Sequence, residues 1–197
     1  VRYLDKSQLR ALLDAAKRDN PLHHLLILLA YAHGLRSTEA VNVWIGPTTA
    51  RIKTIKNGKP STVPAPYIES NTLIVQRLKG SECTRQPLVS SSDPLFDEVS
   101  LLSGLPNGRL FPNWTRHDFN NLMRSYGKRG IIPQFLAHQH ILKRSIGKHM
   151  VRGAGLDNTS IYLGHKNWSS TKAYVKNSDS EAAAAMNEAV FGRMEAA

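Results

Sequence analysis

Leu9, Leu12, Leu13 and Ala16 recur at helical spacing in "LDKSQLRALLDAAKRD", with Asp5 or Ser7 available as a cap. "PLHHLLILLAYAHG" is apolar nearly all round, which predicts a buried helix opening after Pro21 and ending at Gly34. In "LRSTEAVNV", Ser37 or Thr38 can cap a short third helix. From Ala50 the period changes. "ARIKTIKNGKPSTVPAP" alternates Ile52 and Ile55 with lysines, turns at Asn57-Gly58 and returns through Val63, which predicts a β-hairpin. "YIESNTLIVQRLKG" reads as helical, and residues 80–109, rich in Ser, Pro and Gly, as loop-dominated. Helices resume at "TRHDFNNLMRSYGKRG" and "AHQHILKRSIGKHMVRGAG". A short one covers "NTSIYLGH", and "DSEAAAAMNEAVFGRM" closes the chain. No internal repeat is visible. The expected fold is mainly α with a small antiparallel β-hairpin or sheet, an α+β domain over 1–197.

Charge narrows the range of partners. The chain carries 26 Lys+Arg against 15 Asp+Glu, a formal net charge of +11. That excess favours a polyanion, nucleic acid first and an acidic membrane second. The longest apolar run, Leu25 to Ala32, is far too short to span a bilayer, so the membrane reading loses its support. The lone cysteine, Cys83, cannot form an intrachain disulfide and has no Cys/His cluster beside it, which suits a reducing, intracellular setting. The first residue is Val1, with no basic-then-apolar leader after it; an excised piece of a longer protein is the expectation.

Candidate chemistry lies in four separated stretches. Arg36 sits between a helix-ending Gly and a new helix start, where a planar guanidinium can meet a phosphate; the plainer alternative is a surface Arg paired with Glu39. Lys56 and Lys59 flank the hairpin tip "KNGK", either as a solvated turn or as a proton-donating ammonium laid over DNA. In "HILKR", His140 shares a helical face with Lys143 and Arg144, giving either a phosphate clamp or an ordinary basic helix. In "LGHKNWSSTKAY", His165 and Tyr174 flank a short polar loop. A phenol, with a pKa of about 10, becomes a useful nucleophile only where cations stabilise phenolate and transition state together.

The order of these residues resembles the catalytic domain of the tyrosine recombinases, the phage-integrase family. "HGLRSTEAVNV" is similar to the family's T-G-L-R-x-S-E-L, with Arg36 as first catalytic Arg and Glu39 as its acidic partner. "KNGKPSTVP" is similar to the hairpin G-K-G-x-K-x-R-x-V-P, which makes Lys56 the catalytic Lys and Lys59 the second lysine of the turn. "HILKRSIGKHM" resembles H-x-L-R-H-T-x-A-T-H, led by His140 with His149 as the later His. "YLGHKNWSSTKAYV" fits L-G-H-x-x-x-x-x-T-x-x-Y, with His165 and the nucleophile Tyr174 in place and Thr171 one position nearer the Tyr than is commonest. Lys143 stands where the family usually has its second Arg, keeping the charge without the bidentate fork, and Arg144 beside it is the alternative.

The resemblance implies a metal- and cofactor-independent DNA strand transferase. Tyr174 would form a 3′-phosphotyrosyl bond; Arg36, Lys143 (or Arg144) and His165 would bind non-bridging oxygens. Lys56 would protonate the leaving 5′-oxygen, and His140 would assist proton transfer from the phenol. Lys59 and Lys166 would contact DNA. The implied setting is an integrase of a mobile genetic element, acting in the cytoplasm or nucleoid on double-stranded attachment-site DNA as a homotetramer. The N-terminal core-binding domain is absent from the chain, and the domain alone is expected to be monomeric. A tail helix over 177–197 could be exchanged between protomers. Two alternatives stand beside this: a topoisomerase IB-like enzyme or telomere resolvase, and a sequence-specific DNA-binding module with a decayed site.

Overall fold

The computed structural model describes residues 2–56, 58–78, 81–166, 168–172 and 174. The expected tail helix over 177–197 lies outside them. Two helices found the core. In α1 (Lys6–Asp19) the Asp5 carboxylate accepts from the Gln8 amide at 2.8 Å, and the Gln8 side chain accepts from the Asp5 amide at 3.1 Å. This reciprocal cap satisfies two amides at the helix start. α2 (Pro21–Ala32), capped by Asn20, is buried continuously from His24 to Ala30 and packs against α1 and α6 (His140–Tyr162). α3 (Ser37–Ala40) is a single turn.

The sheet is larger than the pattern predicts. The stretch expected to be helical after Pro66 is instead a hairpin, β4 (Tyr67–Glu69) and β5 (Thr72–Gln76). Ser70 and Asn71, both at positive φ, form its two-residue turn. Leu73, Ile74 and Val75 are all buried, so both faces of β5 are covered and no polar alternation marks it as a strand. Residues 80–109, expected as loop, carry β6 (Cys83–Pro87), α4 (Glu98–Leu102) and β7 (Gly108–Arg109). With β1 (Trp44–Ile45) these make a five-stranded sheet in the order β6-β5-β4-β1-β7. It is mixed, because β1 runs parallel to β4.

The predicted hairpin forms as a separate ribbon, β2 (Arg51–Lys56) paired with β3 (Lys59–Pro64), Lys56 opposite Lys59. α5 (Arg116–Lys128) opens on a Thr115–Asp118 capping box. The two helices expected after Ala137 are contiguous in α6 and meet at Gly155, whose φ of 81° and ψ of 175° break the helical geometry. α7 (Trp168–Lys172) follows.

Candidate active site

Two helix endings of the same kind set the site's frame. At the end of α2 the Gly34 amide donates to the Tyr31 carbonyl and the Leu35 amide to the Ala30 carbonyl, both at 3.0 Å. At the end of α6 the Gly164 amide donates to Ile161 and the His165 amide to Ser160, at 3.0 and 2.9 Å. Each is the paired-bond stop that needs a left-handed residue, and Gly34 and Gly164 have φ of 56° and 66°. The endings abut: a Cβ on Gly34 would run into the Leu163 side chain. Arg36 and His165, 129 positions apart, leave these two stops side by side.

Beneath them lies a buried ionic layer. Glu39 is fully buried; its carboxylate accepts from the Arg36 amide at 2.7 Å, the Arg36 guanidinium at 3.1 Å and the Leu78 amide at 2.8 Å. Arg77, 1 % exposed, approaches Glu39 at 3.6 Å. Burial alone would raise the Glu39 pKa, but the charges of Arg77, Arg36 and Lys143 outweigh it and hold the carboxyl below its ordinary range. The Lys143 ammonium donates to the Gly34 carbonyl at 3.0 Å. Desolvation, reinforced by the positive Arg77 and Arg36, pulls Lys143 down to about 7 against the raising effect of Glu39.

Above this layer opens a cleft of about 800 Å³. Arg36, His140 and Lys143 line it from the helical side, Lys53, Thr54 and Ile55 from β2, and Arg116, His117 and Asn120 from the first turns of α5. His165 Nδ1 lies 2.8 Å from the Thr171 hydroxyl, a contact that accounts for the buried Thr171. Desolvation first, then Lys143, Arg36 and Arg77, lower His165 to about 4, so the ring is neutral at pH 7. In the tautomer in which Thr171 donates to Nδ1, Nε2 keeps the proton and can donate.

Tyr174 is 8 % exposed and stacked on His165, ring centroids 6.2 Å apart and planes 23° from parallel. Its ring also covers Gly147, where a Cβ would come within 2.8 Å of it. Burial raises the phenol pKa, partly offset by Arg144 and Arg36. In this state the phenol is neutral and sheltered.

Among the expected site residues, Arg36, Glu39, His140, Lys143, His165 and Tyr174 are thus brought together. Lys143, not the exposed Arg144, lines the cleft; the charge of Arg144 acts on Tyr174. Lys56 ends β2, and Lys59 and Lys166 are exposed. His149 bonds the Tyr31 hydroxyl at 2.8 Å and packs on Tyr3, so its role is structural. Sequence reasoning missed Arg77 and the β5–β6 turn. That turn is tied to the site at both ends, through Leu78 to Glu39 and through Ser81, whose hydroxyl lies 3.4 Å from the Arg36 guanidinium. The available signal was "RLKG", a Lys-Gly pair that looks like a turn only once its flanks are read as strands. Among the described residues no group of three or more His, Cys, Asp or Glu is arranged to hold a metal ion, and no helix is long and apolar enough to cross a membrane.

The fold has known counterparts. Residues 2–181 match the phage integrase family, and the chain belongs to it. It is similar to tyrosine recombinase XerC of Rickettsia bellii (strain RML369-C), 28 % identical over 161 residues that cover 78 % of this chain and 46 % of that protein. Among solved structures it resembles XerA recombinase, with a TM-score of 0.60 and 18 % identity over 95 % of this chain and 62 % of the other. It also resembles the XerH site-specific recombinase in its pre-cleavage complex with difH substrate, with a TM-score of 0.59 and 16 % identity over 92 % of this chain and 51 % of the other. The chain spans about half the length of the curated relative it matches.

Proposed function

We propose that this chain is the catalytic domain of a site-specific DNA recombinase that cuts and rejoins strands through a 3′-phosphotyrosyl intermediate. The observation that carries the reading is the convergence of Arg36, Lys143 and His165 on one buried ionic layer, with Tyr174 stacked on His165. Arg36 supplies a planar fork to the phosphate, Lys143 a point charge and neutral His165 a ring N–H. Together they stabilise the charge that builds on the non-bridging oxygens.

The Tyr174 phenol gives its proton to His140 as its oxygen attacks phosphorus. The bond to the 5′-oxygen breaks, and that oxygen takes a proton from a lysine. The bond energy is retained in the phosphotyrosine, so a 5′-hydroxyl from a partner strand can reverse the step. Lys56 is the proton donor by motif. The ties at Leu78 and Ser81 support a second reading, Lys79, which stands in sequence between them and is outside the described residues. The substrate is duplex DNA, drawn in by the net charge of +11 and contacted by Lys59 and Lys166. A tetramer on DNA, with the tail over 177–197 passed between protomers, completes the proposal.

A duplex carrying the target site and a nick near the scissile phosphate traps the intermediate, because the short 5′-fragment diffuses away. The protein is expected to become covalently linked to the 3′-end, and Tyr174→Phe to yield no adduct. Binding without any adduct would favour the DNA-binding module with a decayed site.

A further inference from the structure

Arg77 has no part in the chemistry above, yet among the described residues it is the largest fully buried side chain. Its donors go to the end of α2, to Glu39 and to two side chains of β6. One terminal nitrogen donates to the His33 carbonyl at 2.8 Å and to the Gln86 side-chain oxygen at 3.0 Å; the other approaches the Gly34 carbonyl at 3.3 Å and Glu39 at 3.6 Å. Nε donates to the Thr84 hydroxyl at 3.0 Å. Gln86 in turn donates to the carbonyl of Tyr162, the last residue of α6, at 2.8 Å. The Arg77 stem lies against Gly164: a Cβ there would be 3.1 Å from Arg77 Cγ and 2.9 Å from Thr84 Cγ2.

We infer that Arg77 is a positioning residue that staples the C-termini of α2 and α6, and so sets the spacing between Arg36, Lys143 and His165 on the bound phosphate. The inference rests on the recombinase reading for its effect on cleavage. Its geometry is independent of it. A cation at a helix C-terminus satisfies carbonyls the helix leaves open; here one guanidinium serves the α2 end directly, the α6 end through Gln86, and the carboxylate that orients Arg36. Gly34 O is shared by Arg77 and Lys143, so the staple also fixes the seat of the catalytic ammonium. A lysine at position 77 keeps the charge but cannot bridge this many acceptors.

The test compares Arg77→Lys, Arg77→Gln and Thr84→Val. Thr84→Val deletes one bond to Arg77 and leaves its charge. Adduct formation with saturating nicked DNA is expected to fall about 100-fold in Arg77→Gln and about 10-fold in Arg77→Lys, the scale of a misplacement of about 1 Å. DNA affinity should change less than threefold. The second readout needs no cleavage: NMR titration of Lys143 in the free protein. The charges facing Lys143 are Arg36, Glu39, Arg77 and His165. Removing Arg77 leaves Glu39 the stronger neighbour, so the Lys143 titration is expected to move up from about 7 in Arg77→Gln, stay near it in Arg77→Lys and be unmoved in Thr84→Val.

Wild-type cleavage rates in a folded Arg77→Gln protein, with an unmoved Lys143 titration, overturn the inference. So do rate losses that disappear when normalised to the folded fraction. If Arg77→Gln does not fold, Arg77→Lys decides: an undiminished cleavage rate overturns it. If the wild-type protein forms no adduct, the recombinase reading fails, while the titration still tests whether Arg77 holds the two helix ends.

Discussion

At the scale of single residues, Gly147 and Tyr174 make the clearest pair. The phenol rests on the bare face of α6 that a glycine leaves, buried beside His165 with its pKa raised. Gly147→Ala removes that resting place. The ring has to shift, while alanine adds about 1 kcal/mol of helix propensity, so stability is expected to change little. The readout is the ultraviolet titration of Tyr174, which should move down toward about 10 as the ring becomes exposed. An unmoved titration would show that the ring does not depend on Gly147. This shelter was not legible in the chain, because glycine within "KRSIGKHM" looks like a weak spot in a helix. Arg36, His140, His165 and Tyr174 were legible, since each sits in a motif whose spacing is local. Arg77 was not: an isolated Arg before Lys-Gly carries no sign that four distant elements will enclose it.

At the scale of elements, the error and its lesson lie in the strands. The β2–β3 ribbon was legible from its flanks of β-branched residues around Asn57-Gly58 and pairs in register from Arg51↔Pro64 to Lys56↔Lys59, although Ile55, 68 % exposed, lies on the face opposite the buried Ile52. β5 is buried on both faces, and its apolar run Leu73–Val75 was indistinguishable from a buried helix, while the polar alternation of β6 was too short to read alone. That difference now bears on the proton donor. Lys56 ends β2 of the ribbon, and Lys79 lies in sequence between β5 and β6, outside the described residues. A substrate with sulfur in place of the bridging 5′-oxygen separates them, since a thiolate leaves without needing a proton. The alanine variant of the true donor is expected to lose about 100-fold or more on ordinary DNA and to recover on the thio-substrate. The other variant should be slowed equally little on both. If neither recovers, neither lysine is the general acid.

For the whole molecule, burial and the clustered charges that would seat a phosphate in the proposed reaction hold Lys143 and His165 short of protons. Lys143, at about 7 in the folded chain against an ordinary value near 10.5, is half-charged at neutrality. The folded state therefore binds fewer protons than the unfolded one between those values. The Lys143 contribution to stability rises with pH across that window, its penalty being fully present below pH 7. His165 behaves likewise between about 4 and 6.5. A bound phosphate favours the ammonium and reverses the shift. DNA binding at pH 8 is expected to take up a proton, read by calorimetry in two buffers of different ionisation enthalpy, and Lys143→Met should abolish the uptake. Equal apparent enthalpies in both buffers for the unaltered protein would contradict this. Adduct formation should accordingly be less sensitive to pH when DNA is saturating than when it is scarce.

Under the proposed function, the two abutting helix stops have a consequence for when the site is armed. Arg36 is delivered by the end of α2 and His165 by the end of α6, and neither faces the other until Leu163 lies on Gly34. A nascent or damaged chain in which α6 has not yet docked carries every reactive side chain but has no assembled seat for a phosphate. In the proposed reaction, strand breakage would therefore wait on the docking of α6, so that completing the fold and arming the site are one event.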